Sequence, residues 1–319
     1  MSARERALTT WRIVFMGTPA FACPILNALL ARTDPVMGVI CQPDRPRGRG
    51  LGVAAPEVKR LAAARALPVL QPERLRDAAF QDALRALAPD LVVVAAYGKI
   101  LPRAVLDLPP RGCINVHASL LPRHRGAAPI AWSILAGDAV TGVTIMAMNE
   151  EMDAGDILLQ RETPIAPDDT GGTLGERLAR LGAAAIGEAI DGLKAGTLRP
   201  VPQPAAGVTF APRIEREHCR LDWRRPAVEL ERQVRALAPE PSAFTTLEGK
   251  LLKVHRAALA AGTAPAGRVV AAGADGIVVA AGAGALRLLE VQLEGRRRLS
   301  AAEFLAGHPL APGTCLAAR

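Results

Sequence analysis

The first half of the chain alternates short apolar runs with longer periodic stretches. Arg12–Met16 reads as a buried strand that breaks at Gly17-Thr18-Pro19, and the apolar spacing over Phe21–Leu30 then predicts a helix. The same rhythm gives strand Val36–Cys41, helix Pro56–Ala66, strand Pro68–Leu70, helix Arg76–Leu87, and strands Leu91–Ala95 and Cys113–Val116. These strands lack polar alternation, so both their faces must be covered. The expectation is an α/β domain with a Rossmann-like, mainly parallel sheet. Helix Ala127–Ala136, strands Gly142–Met148 and Ile157–Thr163 (as a hairpin), and an amphipathic stretch Leu174–Leu193 complete it.

From 196 to 213 the chain is rich in Pro and Gly and loses all periodicity, which predicts a linker. Helix Ala227–Leu237 follows. Short segments at close spacing come next: Phe244–Leu247, Lys250–Arg256, Gly267–Val270, Gly276–Ala280 and Ala285–Gln292. Such strands suit a small barrel or an open β-sheet. The Ala- and Gly-rich patches between 258 and 285 read as composition alone. The division expected is a catalytic domain over 1–198, a linker over 199–213 and a smaller domain over 214–319.

Composition narrows the class. A chain of 319 residues can bury two cores, and no run approaches the ~20 apolar residues of a membrane span. The opening residues carry no secretory h-region. Five scattered cysteines with no C-x-x-C pair suit a reducing cytoplasm and give no metal framework. The net charge of +8 rests almost wholly on arginine, since only five lysines occur. GC-rich codon bias accounts for that blandly; an anionic partner is the functional reading. Residues 206–319 hold 16 basic against 11 acidic side chains, so the smaller part is the more basic one.

The turn after the first strand excludes one class of chemistry. Gly17-Thr18-Pro19-Ala20-Phe21-Ala22 has a single glycine where a dinucleotide fingerprint needs three, and no Walker lysine follows.

The informative stretch is Asn115-Val116-His117-Ala118-Ser119-Leu120-Leu121-Pro122, running on to Arg125-Gly126 and answered by Asp153-Ala154-Gly155-Asp156. An amide can donate to an oxygen that becomes negative, an imidazole can carry protons, and a carboxylate can orient the imidazole. Taken singly, each residue is more often a structural hydrogen-bonder; the complete run is the functional signal. Asp156 reads as a turn or capping group.

With these motifs the chain resembles the folate-dependent formyltransferase superfamily. Within it, Phe15–Pro19, Gln42–Gly50, Ala96-Tyr97-Gly98, Gly112–His117, Arg125–Ile130 and Thr141–Met146 are similar to the branch that formylates methionyl-tRNA. The similarity spans nearly the whole chain. It implies formyl transfer from 10-formyltetrahydrofolate, as co-substrate, to the amino group of methionine on initiator tRNA, with no metal. It implies catalytic Asn115, His117 and Asp153, and a folate site lined by Tyr97, Gly98, Ser119, Leu120, Leu121 and Pro122. It also implies an OB-like barrel for the second domain and a tRNA-facing insertion carrying Arg45, Arg47 and Arg49. The insertion departs from the similar enzymes: Leu51-Gly52 stand where they have lysines, which leaves the contact to the arginines. The arginines at 213, 216, 220, 224 and 225, near the linker, and at 296–298 are further candidates for the tRNA backbone, as clusters. A monomer is expected. Two other readings remain open: a small amine acceptor such as glycinamide ribonucleotide or an amino-sugar nucleotide, and a tRNA-binding protein without catalysis.

Overall fold

The computed structural model describes residues 10–47 and 52–317. The chain forms two compact units that interleave in sequence. One runs to Pro129 and adds Val140–Pro164 and Gly175–Pro212; the other takes Ile130–Ala139, Ile165–Leu174 and everything from Arg213.

The first unit is built on a seven-stranded sheet in the order β5-β2-β1-β6-β7-β8-β9. Its strands are β1 Ile13–Gly17, β2 Val36–Ile40, β5 Val69–Leu70, β6 Leu91–Ala95, β7 Cys113–His117, β8 Val140–Ala147 and β9 Ile157–Pro164. Strands β5, β2, β1, β6 and β7 run parallel, while β7, β8 and β9 pair antiparallel. β1, β6 and β7 are buried at every position, as their unbroken apolar runs require. The helices are α1 Ala22–Leu30, α2 Glu57–Ala64, α3 Ala78–Ala86, the single turn α4 Arg103–Leu106, and most of the long helix α6 Gly171–Ala195. Within the basic insertion a two-stranded antiparallel ribbon pairs β3 Arg45–Arg47 with β4 Gly52–Ala54.

The parallel order reverses direction at β1, whose neighbours are β2 and β6. Such a switch point opens a crevice at the carboxyl ends of the strands. The turns after β1, β2 and β6 are tied together there. Gln42 Nε2 and Thr18 Oγ1 both donate to the Tyr97 carbonyl, at 3.1 and 3.2 Å.

The stretch expected to be a linker makes backbone hydrogen bonds to this unit. Val201 exchanges backbone hydrogen bonds with Ile157, and Arg125 does so with Thr209 and Ala211. Backbone pairing needs no side-chain periodicity, so the sequence pattern carried no sign of it.

The second unit contains α5 Pro129–Ala136 from Ile130 onward, the single turn α7 Arg216–Cys219, and α8 Ala227–Ala236. Its antiparallel sheet runs β12-β13-β14-β11-β10-β16, with β15 beside β14. These strands are β10 Ala243–Leu247, β11 Lys250–Ala260, β12 Val269–Gly273, β13 Gly276–Ala280, β14 Ala285–Leu293, β15 Leu299–Ser300 and β16 Leu316–Ala317. Hydrogen bonds from Val269 N to Thr314 O, Gly313 N to Val269 O and Leu316 N to Gly267 O join the two ends, each at 2.8 Å. The sheet therefore closes on itself as a small barrel around Leu252, Val254, Ile277, Val279, Leu286, Leu288 and Val291. Helix α9 Ala301–Gly307, which the sequence reading did not predict, puts Phe304 into that core and starts on a Ser300–Glu303 capping box. Part of the Ala- and Gly-rich stretch is strand: β11 continues to Ala260 and β12 to Gly273.

No described helix is long and apolar enough to cross a membrane.

Candidate active site

Strand β7 delivers Asn115 and His117 on the same side of the strand, two positions apart. Its partner β8 is antiparallel, so Ala147 lies opposite Ile114, and the 148–156 connection starts at the far end of β7. That connection turns back to bring Asp153 against both side chains. Asn115 Nδ2 donates to Asp153 Oδ1 at 3.4 Å, and His117 Nδ1 lies 3.7 Å from the same oxygen. Three residues spread over 38 positions thus meet around one point.

Glycine makes the return possible at two places. A Cβ on Gly155 would fall 1.8 Å from the Ala147 carbonyl oxygen, and one on Gly126 would fall 2.6 Å from that of Ala211. Gly126 also has φ +127°, and its N–H donates to Asp153 Oδ2 at 2.9 Å. Asp153 itself sits at φ 50°, a left-handed conformation that a short polar side chain tolerates better than most.

The tautomer of His117 follows from its other nitrogen. Nε2 lies 2.9 Å from the carbonyl oxygen of His124, and a carbonyl only accepts. Nε2 therefore carries the proton, and the neutral ring keeps its lone pair on Nδ1, facing the Asp153 carboxylate. Two lone-pair bearers face each other until Nδ1 takes a proton; the contact then becomes an ion pair. His117 is 5% exposed and the Asp153 side chain 16%, so little water screens that change.

The segment after β7 is held from the hairpin. Thr144 Oγ1 donates to the Ser119 carbonyl at 2.7 Å and accepts from Leu121 N at 3.0 Å. Gln160 Nε2 donates to the Leu121 carbonyl at 2.9 Å and to Thr144 Oγ1 at 3.0 Å. Ser119 is fully buried, its hydroxyl donating to the Arg123 carbonyl at 2.7 Å, and Leu121 is buried too. Leu120 and Pro122 are half-buried. Of the residues expected to line a folate site, Ser119 and Leu121 thus turn their side chains inward. Tyr97 likewise places its ring in the core beside Met16, Ile40 and Leu101, while its carbonyl accepts from Gln42 and Thr18 and Gly98 follows at φ +81°. Burial pushes the Tyr97 phenol and, to about 11, the neighbouring Cys41 thiol upward, so both stay neutral.

The sequence reading missed Thr144, Gln160, the His124 carbonyl and Gln203. Thr144 lies within the similar segment Thr141–Met146 and the others in no motif; each acts through a contact that only the fold creates. Among the described residues no group of three or more His, Cys, Asp or Glu is placed to hold a metal ion.

The basic ribbon is rooted by charge. Asp44, just before it, meets Lys59 at 2.7 Å and accepts from Gln71 Nε2 at 2.7 Å, which holds its carboxyl below the usual range. Arg45 is exposed in β3, with one contact to Gln42 Oε1 at 3.4 Å, and the backbone of Arg47 pairs with Gly52. Arg49 lies outside the described residues. In the second unit the candidate arginines are all exposed but not equivalent. Arg224, Arg225, Arg297 and Arg298 are bound to Asp222, Glu229, Glu303 and Glu290. Arg216 lies 5.8 Å over the Phe244 ring.

Residues 11–190 match the model of the formyl transferase family, and residues 213–309 match that of its C-terminal domain. A methionyl-tRNA formyltransferase of Myxococcus xanthus is 54% identical over 95% of this chain and 97% of its own length. Its namesake in Trichlorobacter lovleyi is 49% identical over 97% and 98%. Among solved structures, HypX from Aquifex aeolicus, in complex with tetrahydrofolic acid, superposes with TM-score 0.66 at 19% identity, over 93% of this chain and 47% of that one. An N-formyltransferase from Helicobacter canadensis superposes with TM-score 0.62 at 14% identity, over 91% and 100%.

Proposed function

The chain belongs to the formyl transferase family, and from that premise we propose that it formylates the amino group of methionine on initiator tRNA. The donor in this reading is 10-formyltetrahydrofolate, and the product is N-formylmethionyl-tRNA for translation initiation in the cytoplasm. The observation that carries the reading is the meeting of Asn115, His117 and Asp153 in a part of the chain that matches the family model. Relatives near 50% identity over almost their full length bear the corresponding name.

The residues suit a direct attack by the amine. An α-amino group has a reference pKa near 7.7–8.0, so a useful fraction is neutral at working pH and no enzyme nucleophile is needed. Asn115 uses one amide N–H on Asp153 and keeps the other for the formyl oxygen as negative charge builds on it. Losing one such donor typically costs about 2.7–4 kcal/mol of barrier. His117 takes at Nδ1 the proton that the attacking amine sheds and returns it to the leaving nitrogen of the donor. Asp153 stabilises the imidazolium in between. The backbone of 119–122 and of Tyr97-Gly98 would hold the folate. Arg45 and Arg47 on the ribbon, Arg49 of the same insertion, and Arg213, Arg220 and Arg296 of the second unit, which have no ion-pair partner among the described residues, would meet the tRNA phosphates.

A formyl-transfer assay with radiolabelled donor tests the proposal, with methionyl-tRNA, free methionine and glycinamide ribonucleotide offered side by side. Label should enter methionyl-tRNA alone, and His117→Ala should abolish transfer while methionyl-tRNA still binds. Preferential labelling of glycinamide ribonucleotide, or transfer undiminished in His117→Ala, refutes it. Binding of the tRNA should weaken steeply with salt, by about 0.7–0.9 in log–log slope for each phosphate neutralised; a flat response removes the arginines from the interface.

A further inference from the structure

We infer that Gln203, in the stretch between the two family-matched segments, is a positioning residue for the Asp153 carboxylate. The inference rests on the catalytic reading of Asp153 given above. Asp153 occupies a left-handed conformation in a connection between strands, so something outside that connection must hold its backbone. Gln203 Nε2 does so, donating to the Asp153 carbonyl at 2.8 Å and to the Gly155 carbonyl at 2.8 Å. Both amide hydrogens are thereby used on the turn that carries the carboxylate.

The orientation of that amide is not arbitrary. Its oxygen accepts from Arg125 Nε at 3.0 Å and from the Arg125 terminal nitrogen at 2.7 Å. A guanidinium has only donors, so the amide cannot flip without setting donor against donor at Arg125 and acceptor against acceptor at the turn. The positive guanidinium also polarises the amide and strengthens its two outgoing bonds. Arg125 is followed by Gly126, whose N–H holds Asp153 Oδ2. One short segment thus grips Asp153 twice, through Gln203 on the main chain and through Gly126 on the carboxylate. Gln203 is fixed in turn by the Val201–Ile157 backbone pair, at 2.8 and 2.9 Å. The 3.4 and 3.7 Å gaps to Asn115 and His117 are therefore set by this frame.

Gln203→Glu and Gln203→Ala separate the possibilities. Glutamate keeps an acceptor for Arg125 but cannot donate to either carbonyl, and alanine removes both functions. The expected result with methionyl-tRNA is a kcat lower by about 10- to 100-fold, the scale of a 1 Å misplacement, with KM for both substrates within about twofold. The pH profile of kcat should move with it, while the urea midpoint stays put. In an Asp153→Asn background, Gln203→Ala should cost nothing more, because the carboxylate it positions is already gone. Unchanged kcat, a loss confined to KM, a loss explained by less folded protein, or additivity with Asp153→Asn each overturns the inference. Failure of the underlying reading looks different: Asp153→Asn would itself retain turnover.

Discussion

Replacing Asp153 by Asn changes one atom at the centre of the site, and the surrounding bonds dictate where it goes. Gly126 N–H donates to Oδ2 at 2.9 Å, so the amide oxygen must stay there and the new nitrogen takes the place of Oδ1. That nitrogen then faces Nδ1 of His117 and Nδ2 of Asn115, formerly 3.7 and 3.4 Å from a carboxylate oxygen. Towards His117 it donates to the lone pair and holds the ring neutral. Towards Asn115 it sets donor against donor and releases the amide. The variant loses both the charge that steadies an imidazolium and the orientation of the oxyanion donor. Removing general acid–base catalysis alone costs about 10²–10⁴ in rate, or roughly 2.7–5.4 kcal/mol of barrier at 1.36 kcal/mol per tenfold. The backbone of residue 153 keeps its bond from Gln203, so stability should change by less than about 1 kcal/mol. Rapid-quench single-turnover transfer of labelled formyl to methionyl-tRNA measures the chemical step, and filter binding measures the complex. A single-turnover rate within about threefold of the parent, with binding intact, would refute the assignment of Asp153.

Two further expectations concern charge burial and thiols. Asp34 is fully buried, bonded to Lys194, to Arg32 Nε at 3.1 Å and to Trp11 N at 2.8 Å. Burial alone would raise its carboxyl, but the bonds from Lys194, Trp11 and Arg32 outweigh that and hold it below the ordinary value. The unfolded chain then binds the proton first, so this stabilisation is present above the ordinary carboxylate pKa and is lost as pH falls through the lower folded value. Asp34→Asn should cost about 3 kcal/mol at neutral pH by urea unfolding, with the gap from the parent closing below about pH 4; an equal midpoint at pH 7 contradicts this. Among the thiols, burial pushes Cys41 up to about 11 and Cys113 up to about 12, whereas Cys315 is exposed. Ellman's reagent at pH 7.5 should therefore modify Cys315 well ahead of Cys41 and Cys113 in the native protein, and comparable rates would show the first unit opening.

The α/β character of the first unit was legible because burial on both faces leaves an unmistakable mark. Leu91–Ala95 and Ile13–Met16 have no polar position to place on a solvent face. The chemistry was legible too, since Asn115, His117 and Asp153 are embedded in a spelled-out run. The second unit was legible only where aliphatic residues alternate. Its Ala-rich strand ends carry little β-propensity and are drawn into the barrel by pairing with β14. What local order in the chain cannot express is contact between distant segments, made by atoms that every sequence shares. The His124 carbonyl chooses the imidazole tautomer, the Gly126 N–H aims the carboxylate, and the pairing of Val201 with Ile157 brings Gln203 to its place. Residue identities supplied the reactive groups; backbone amides and carbonyls, positioned only once the sheet had formed, decided their protonation and spacing.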